Sequence, residues 1–158
     1  MTSRVRLLLT ILDQAYDRKS WHGTNLRGSI RRVTPTQAAW RPSSSRHNIW
    51  EIVVHAAYWK YAVWRRLTGE ARGSFPDKGS DWFRRPDTQS EKTWKADVRV
   101  LDQMHDELCE AVGRLTSRDL DAVPAGRTTS NLFLVTGAAA HDVYHAGQIQ
   151  LLKKLMKE

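Results

Sequence analysis

Apolar side chains recur every third or fourth position over four long stretches of the chain, and nowhere does a period of two persist long enough to make a strand. The pattern predicts an all-α protein. In the first stretch Val5, Leu8, Leu9, Leu12 and Tyr16 share one helical face, which gives a helix over 4–18 that stops before Gly23. A shorter helix is expected over 26–33, and one helical turn from Pro35 inside the connection "VTPTQAAWRPSSS". The second long helix starts at Asn48, with Glu51 at capping-box spacing, and runs to about Thr68. Its buried stripe reads Ile52, His55, Ala56, Trp59 and Val63.

Residues 69–86 hold three glycines and two prolines around Trp82 and Phe83, which predicts a long loop packed through its aromatics, of the kind that borders a site. The third long helix starts at Thr88 or Ser90, since Thr88 and Glu91 again have capping-box spacing. It runs to Leu115 through Trp94, Val98, Leu101, His105, Leu108 and Val112. After the connection "TSRDLDAVPAGRTTS" the last helix spans 131–157 and ends in lysines, which suit the negative end of its dipole. Four amphipathic helices of this length bury their stripes best as a four-helix bundle, and 158 residues suffice for one domain over 1–158.

Composition narrows the class further. Hydrophobic residues make up 41% and charged residues 27%, which argues against both disorder and a membrane protein. "MTSRVRLLLTILDQAY" begins as a signal peptide does, but Asp13 interrupts it and no small-residue cleavage site follows, so a cytoplasmic protein without an anchor is expected. The lone Cys109 has no intrachain disulfide partner and reads as a small core residue. A net charge of +8 raises the question of an anionic partner. The cations, however, come as scattered doublets (Arg31-Arg32, Arg65-Arg66, Arg84-Arg85, Lys153-Lys154), and no zinc-finger, RNP or P-loop pattern accompanies them. Dedicated nucleic-acid binding is therefore not the leading expectation.

The chemistry-bearing stretch is "HDVYHAGQIQLLKK" at 141–154. On a helix His141 and His145 lie about 40° apart around the axis and about 6 Å apart along it, so both imidazoles can reach one metal ion at about 2.0–2.1 Å. Two buried histidines satisfied by hydrogen bonds are the alternative. His55, on the buried stripe of another long helix, points at the same interior space if the second and fourth long helices pair. Three imidazoles leave coordination positions open, as in a catalytic site. "HDVYH" also approximates the zincin pattern H-E-x-x-H. Asp142 is a methylene shorter than the required Glu, Gln148 stands where the longer pattern needs Gly, and no third ligand follows downstream, so a metalloprotease is set aside. Asp142 is expected at the surface or behind the ligands. Gln148 lies close to the histidine face and could bond a metal-bound water, a ligand or a neighbouring helix. Glu51, one turn before His55, could orient that imidazole, although the cap alone explains it. His47 and His105 read as surface or packing residues. Trp50, Trp59, Trp64 and Trp94 read as core anchors, and Trp21, Trp40 and Trp82 as possible pocket walls.

With "HNIWEIVVHAAYW" at 47–59 and "WHG" at 21–23 followed by Leu26, the closing H-D-x-Y-H-x-G-Q-I helix resembles the DinB-like superfamily, whose members include the YfiT-like proteins. The likeness runs over essentially the whole chain. It implies a four-helix bundle with up-down-down-up connectivity, a homodimer, and a divalent metal held by His55, His141 and His145, with His22 of the "WHG" turn near the site. Zn, Ni, Fe and Cu suit three imidazoles alike. Characterised members include S-transferases that use a low-molecular-weight thiol and a thiol-dependent maleylpyruvate isomerase. The resemblance therefore implies a metal-dependent enzyme on a small-molecule substrate or thiol, of the thiol transferase or isomerase type, with a hydrolase next. A surplus of arginine suits an anionic thiol or substrate. The alternatives are a metal-binding, stress-associated module without turnover and, behind it, a basic bundle that binds nucleic acid.

Overall fold

The computed structural model describes residues 1–79, 81–85, 90–124 and 126–157. Among them are seven helices, α1 (Ser3–Tyr16), α2 (Leu26–Ser29), α3 (Pro35–Ala39), α4 (Ile49–Thr68), α5 (Glu91–Gly113), α6 (Ser117–Asp121) and α7 (Asn131–Leu155), and no strand. Each helix opens on a Ser, Thr or Asn whose side-chain oxygen accepts a backbone N–H three residues on. Such caps satisfy donors that the first helical turn otherwise leaves unpaired. At α4 the cap is reciprocal: Asn48 Oδ1 accepts from the Glu51 N–H at 2.8 Å, and Glu51 Oε2 accepts from the Asn48 N–H at 3.3 Å.

The four long helices stand where the periodicity places them, with shorter ends. α1 stops at Tyr16, two residues before the expected Arg18, because Asp17 leaves helical geometry. The helix expected over 26–33 closes after Ser29, and the chain then turns through Arg32, whose φ of 61° is left-handed. That turn lets Thr34 cap α3 at once. α5 begins after Ser90, while Thr88, the other expected start, lies outside the described residues. The connection after α5 carries the short α6, opened by a Thr116–Asp119 capping box. Gly69 closes α4 at φ 79°, a conformation that a Cβ disfavours.

α4 packs against α5 and α7, and α1 packs against both of those partners. Their stripes build two apolar clusters. One gathers Tyr16 at the end of α1, the first turns of α4 and α5 around Trp50 and Trp94, and Ile149 and Leu152 of α7. The other joins Val5, Leu8 and Leu12 of α1 to Val63, Leu108, Val112, Leu134 and Val135. Burying each such Leu, Val or Ile contributes roughly 1.5–3 kcal/mol.

A polar seam crosses the interior where the two clusters meet. Lys60 of α4 and Asp142 of α7, both essentially excluded from solvent, form an ion pair, and Lys60 Nζ also lies 3.3 Å from His105 Nδ1 on α5. His105 stacks on Tyr16, with ring centroids 3.8 Å apart. Asp142 is thus neither a surface residue nor a partner of the histidines beside it. One step around a helix is about 100°, which turns its carboxylate away from the face that His141 and His145 share and toward α4 and α5.

Candidate metal centre

α4 and α7 pair as expected, and the pairing brings His55, His141 and His145 together. His141 Nε2 lies 3.2 Å from His55 Nε2 and 3.0 Å from His145 Nε2. Two nitrogens bound tetrahedrally to one ion at 2.0–2.1 Å would stand about 3.3 Å apart. Two of the three separations are therefore already near the one that a shared cation imposes, and all three nitrogens lie within 4.8 Å of one another.

The outer nitrogens decide what the inner ones offer. His55 Nδ1 donates to the Asp81 carbonyl at 2.8 Å, and His145 Nδ1 donates to Gln148 Oε1 at 2.7 Å. Each neutral ring then carries its hydrogen on Nδ1 and turns a bare Nε2 lone pair inward. His55 and His145 thus each present a bare Nε2 to His141 Nε2, and imidazole nitrogens gathered at one point fit a divalent cation. Burial, the largest cause for all three, pushes His141 down to about 3 and His145 down to about 4, and it lowers His55 as well. At neutral pH the imidazoles are unprotonated, the form in which histidine binds a metal.

Gln148 thus stands behind His145 and orients it, one of the roles expected of it being replaced by another. Its amide also donates to Tyr144 Oη at 3.1 Å, which holds the carboxamide in place. Glu51 does not reach His55. Its carboxylate is taken by the cap, by Arg41 at 2.8 Å and by His47 Nδ1 at 3.1 Å. Burial pushes this carboxyl up, yet the hydrogen bonds from Arg41 and His47 outweigh it and hold Glu51 below the usual range. His22 sits exposed in its turn and makes no contact with the three histidines.

Of the three tryptophans assigned to pocket walls, only Trp82 borders the site. It stacks flat on His55 with ring centroids 3.8 Å apart, and its other face covers His47 at 3.6 Å. Trp21 is fully exposed, and Trp40 lines a separate cavity with Arg31 and Lys153. Trp59, expected in the core, instead stands half-buried with its ring 6.3 Å from both His55 and His141. The loop that carries Asp81 and Trp82 is held to α4 by Tyr61 Oη, which accepts from the Gly73 and Ser74 N–H groups at 3.1 and 3.2 Å. A groove of about 360 Å³ adjoins Trp82 and Gln148, lined by Ile52, Leu151 and Leu152 together with Arg46.

Two helices and one tethered loop thus build a three-histidine centre able to hold a metal ion. The family model of the DinB superfamily matches residues 19–149, a span that contains every residue of this centre. The chain belongs to the DinB superfamily. No curated protein and no solved structure matches it. Among the described residues no helix is long and apolar enough to cross a membrane.

Proposed function

We propose that His55, His141 and His145 bind a divalent metal and that the centre serves metal-dependent chemistry on a small molecule, thiol transfer or isomerisation first and hydrolysis second. The observation that carries this reading is the convergence of three Nε2 atoms, two of them stripped of hydrogen by acceptors behind the rings. A metal held by neutral imidazoles keeps its full charge and lowers the pKa of a bound water or thiol. The protein's own part is to fix the rings: Asp81 and Gln148 set the tautomers, and Trp82 holds the plane of His55. The groove beside Trp82 pairs apolar walls with Arg46, which suits a substrate or thiol with an apolar body and an anionic group. A homodimer belongs to the same proposal, with the exposed Phe133, Tyr144 and Leu151 of α7 as the face for the second copy.

A metal-binding module without turnover is the second reading. It is favoured by the engagement of Glu51 elsewhere, which leaves that carboxylate no proton-transfer role at the centre. Elemental analysis of protein purified without a histidine tag, repeated on His145→Ala, tests the metal. The expected result is one stoichiometric metal ion in the wild type and its loss in the variant. Wild-type protein that takes up no metal even after addition of Zn or Ni would sink the proposal. Consumption of a low-molecular-weight thiol with an electrophile separates enzyme from module.

A further inference from the structure

A second group of metal-ligating side chains lies on the other side of the polar seam. His105 and Cys109 stand one turn apart on α5, and Asp13 reaches them from α1. His105 Nε2 lies 3.5 Å from Cys109 Sγ and 3.7 Å from Asp13 Oδ1, and Sγ and Oδ1 are 4.0 Å apart. Tetrahedral zinc with ordinary bond lengths would set the first two separations at about 3.5 Å and about 3.3 Å. The triangle needs to shrink by only a few tenths of an ångström on its longer sides.

We propose that Asp13, His105 and Cys109 form a second, mixed-donor site for a borderline or soft divalent cation such as zinc, independent of the three-histidine centre. The arrangement is not that of a nucleophilic cysteine. In a Cys–His–Asp relay the thiol and the carboxylate sit on opposite nitrogens of the ring, so that the imidazole passes a proton between them. Here both face the same Nε2, while Nδ1 is occupied by Lys60. Nδ1 accepts from the Lys60 ammonium, so Nε2 carries the ring hydrogen until a cation displaces it, and nitrogen, sulfur and oxygen then converge as a relay cannot use.

The surroundings suit that cation. The His105 ring is fixed by its stack on Tyr16, whose hydroxyl bonds Asp102, itself paired with Arg27 at 2.8 Å. In the metal-free state Lys60 places a positive charge behind the ring, which the buried Asp142 neutralises. Ionised Asp13 and a Cys109 thiolate then supply two negative charges opposite a divalent ion. The Asp13 side chain is 44% exposed, which gives the ion a way in from solvent. Without a cation, burial and the nearby Asp13 push the Cys109 thiol up to about 12, so it keeps its proton. Loading balances as one M²⁺ taken up against two protons released: the Sγ–H bond gives way to a sulfur–metal bond and the Nε2–H bond to a nitrogen–metal bond, while Lys60 passes a hydrogen to Nδ1 and stays hydrogen-bonded to Asp142 as a neutral amine.

Cobalt(II) is the probe, because a thiolate ligand adds an intense near-ultraviolet sulfur-to-cobalt charge-transfer band that an all-imidazole centre lacks. The His55→Ala/His141→Ala/His145→Ala variant should bind one equivalent of Co(II) and show this band. Cys109→Ser in the wild-type background should abolish the band while leaving one equivalent bound at the three histidines. Asp13→Asn, at a half-exposed position, should weaken the banded equivalent by about tenfold or more. Wild-type protein that takes up cobalt without any sulfur band overturns the proposal, as does an Asp13→Asn affinity equal to that of the wild type. The band distinguishes failure here from failure at the three-histidine centre even if the triple variant does not fold.

Discussion

The indole of Trp82 lies parallel to the imidazole of His55, with 11° between their planes, and so holds a ligand ring by its face while Asp81 holds it by its edge. Rings supported in this way bind metal more tightly because less freedom is lost on coordination. Trp82→Ala should keep the helical content of the wild type and lose about tenfold in metal affinity, read by competition with a chelator of known strength.

Gln148 and Glu51 should separate cleanly. Gln148→Leu removes the acceptor behind His145 and should cost about 10–100-fold in metal affinity at nearly unchanged stability. Glu51→Ala should do the reverse. It deletes half of the α4 capping box and the partner of Arg41, costing about 1–2 kcal/mol by urea denaturation with metal stoichiometry intact.

Acid should destabilise the metal-free protein from an unusually high pH. The folded values of His141, about 3, and His145, about 4, lie below the ordinary 6.5 of the unfolded chain. The stability they contribute is complete above pH 6.5 and is lost as pH falls toward 3–4, because the unfolded state takes up protons first. At pH 5 the loss is on the order of 2 kcal/mol per ring. Denaturant titrations in a chelator at pH 7 and pH 5 should show it, with a shallower slope for His141→Gln. An unchanged slope would mean that the ring is not buried.

Lys60 and Asp142 should be unequal to the sum of their parts. Asp142→Leu or Lys60→Met alone leaves a charge buried without its partner and should destabilise by about 3–5 kcal/mol. The double variant Lys60→Met/Asp142→Leu should recover most of that loss, as unfolding free energies in a double-mutant cycle would reveal.

Much of the candidate centre was legible before the fold. His141 and His145 share a face by spacing alone, and His55 sits within an apolar stripe where a histidine has to find a partner. Trp82 reads as a wall without a direction, because a loop over 69–86 has no period that would aim it. Asp142 misled because a carboxylate on a helix is ordinarily solvated, and its partner lies 82 positions away in sequence. The one local signal was Lys60 itself, a single cation inside the apolar run "AAYWKYAVW". Cys109 was read as packing because Asp13 comes from another helix and sequence spacing does not carry that proximity.

The Asn48–Glu51 box fixes where α4 begins, and His55 follows four residues after Glu51. That start therefore sets the phase of everything downstream. Deleting one residue between them would swing the His55 ring by about 100° and draw it back by about 1.5 Å, while leaving a helix of the same kind in the same place. An intact scaffold would then present two imidazoles to an ion instead of three.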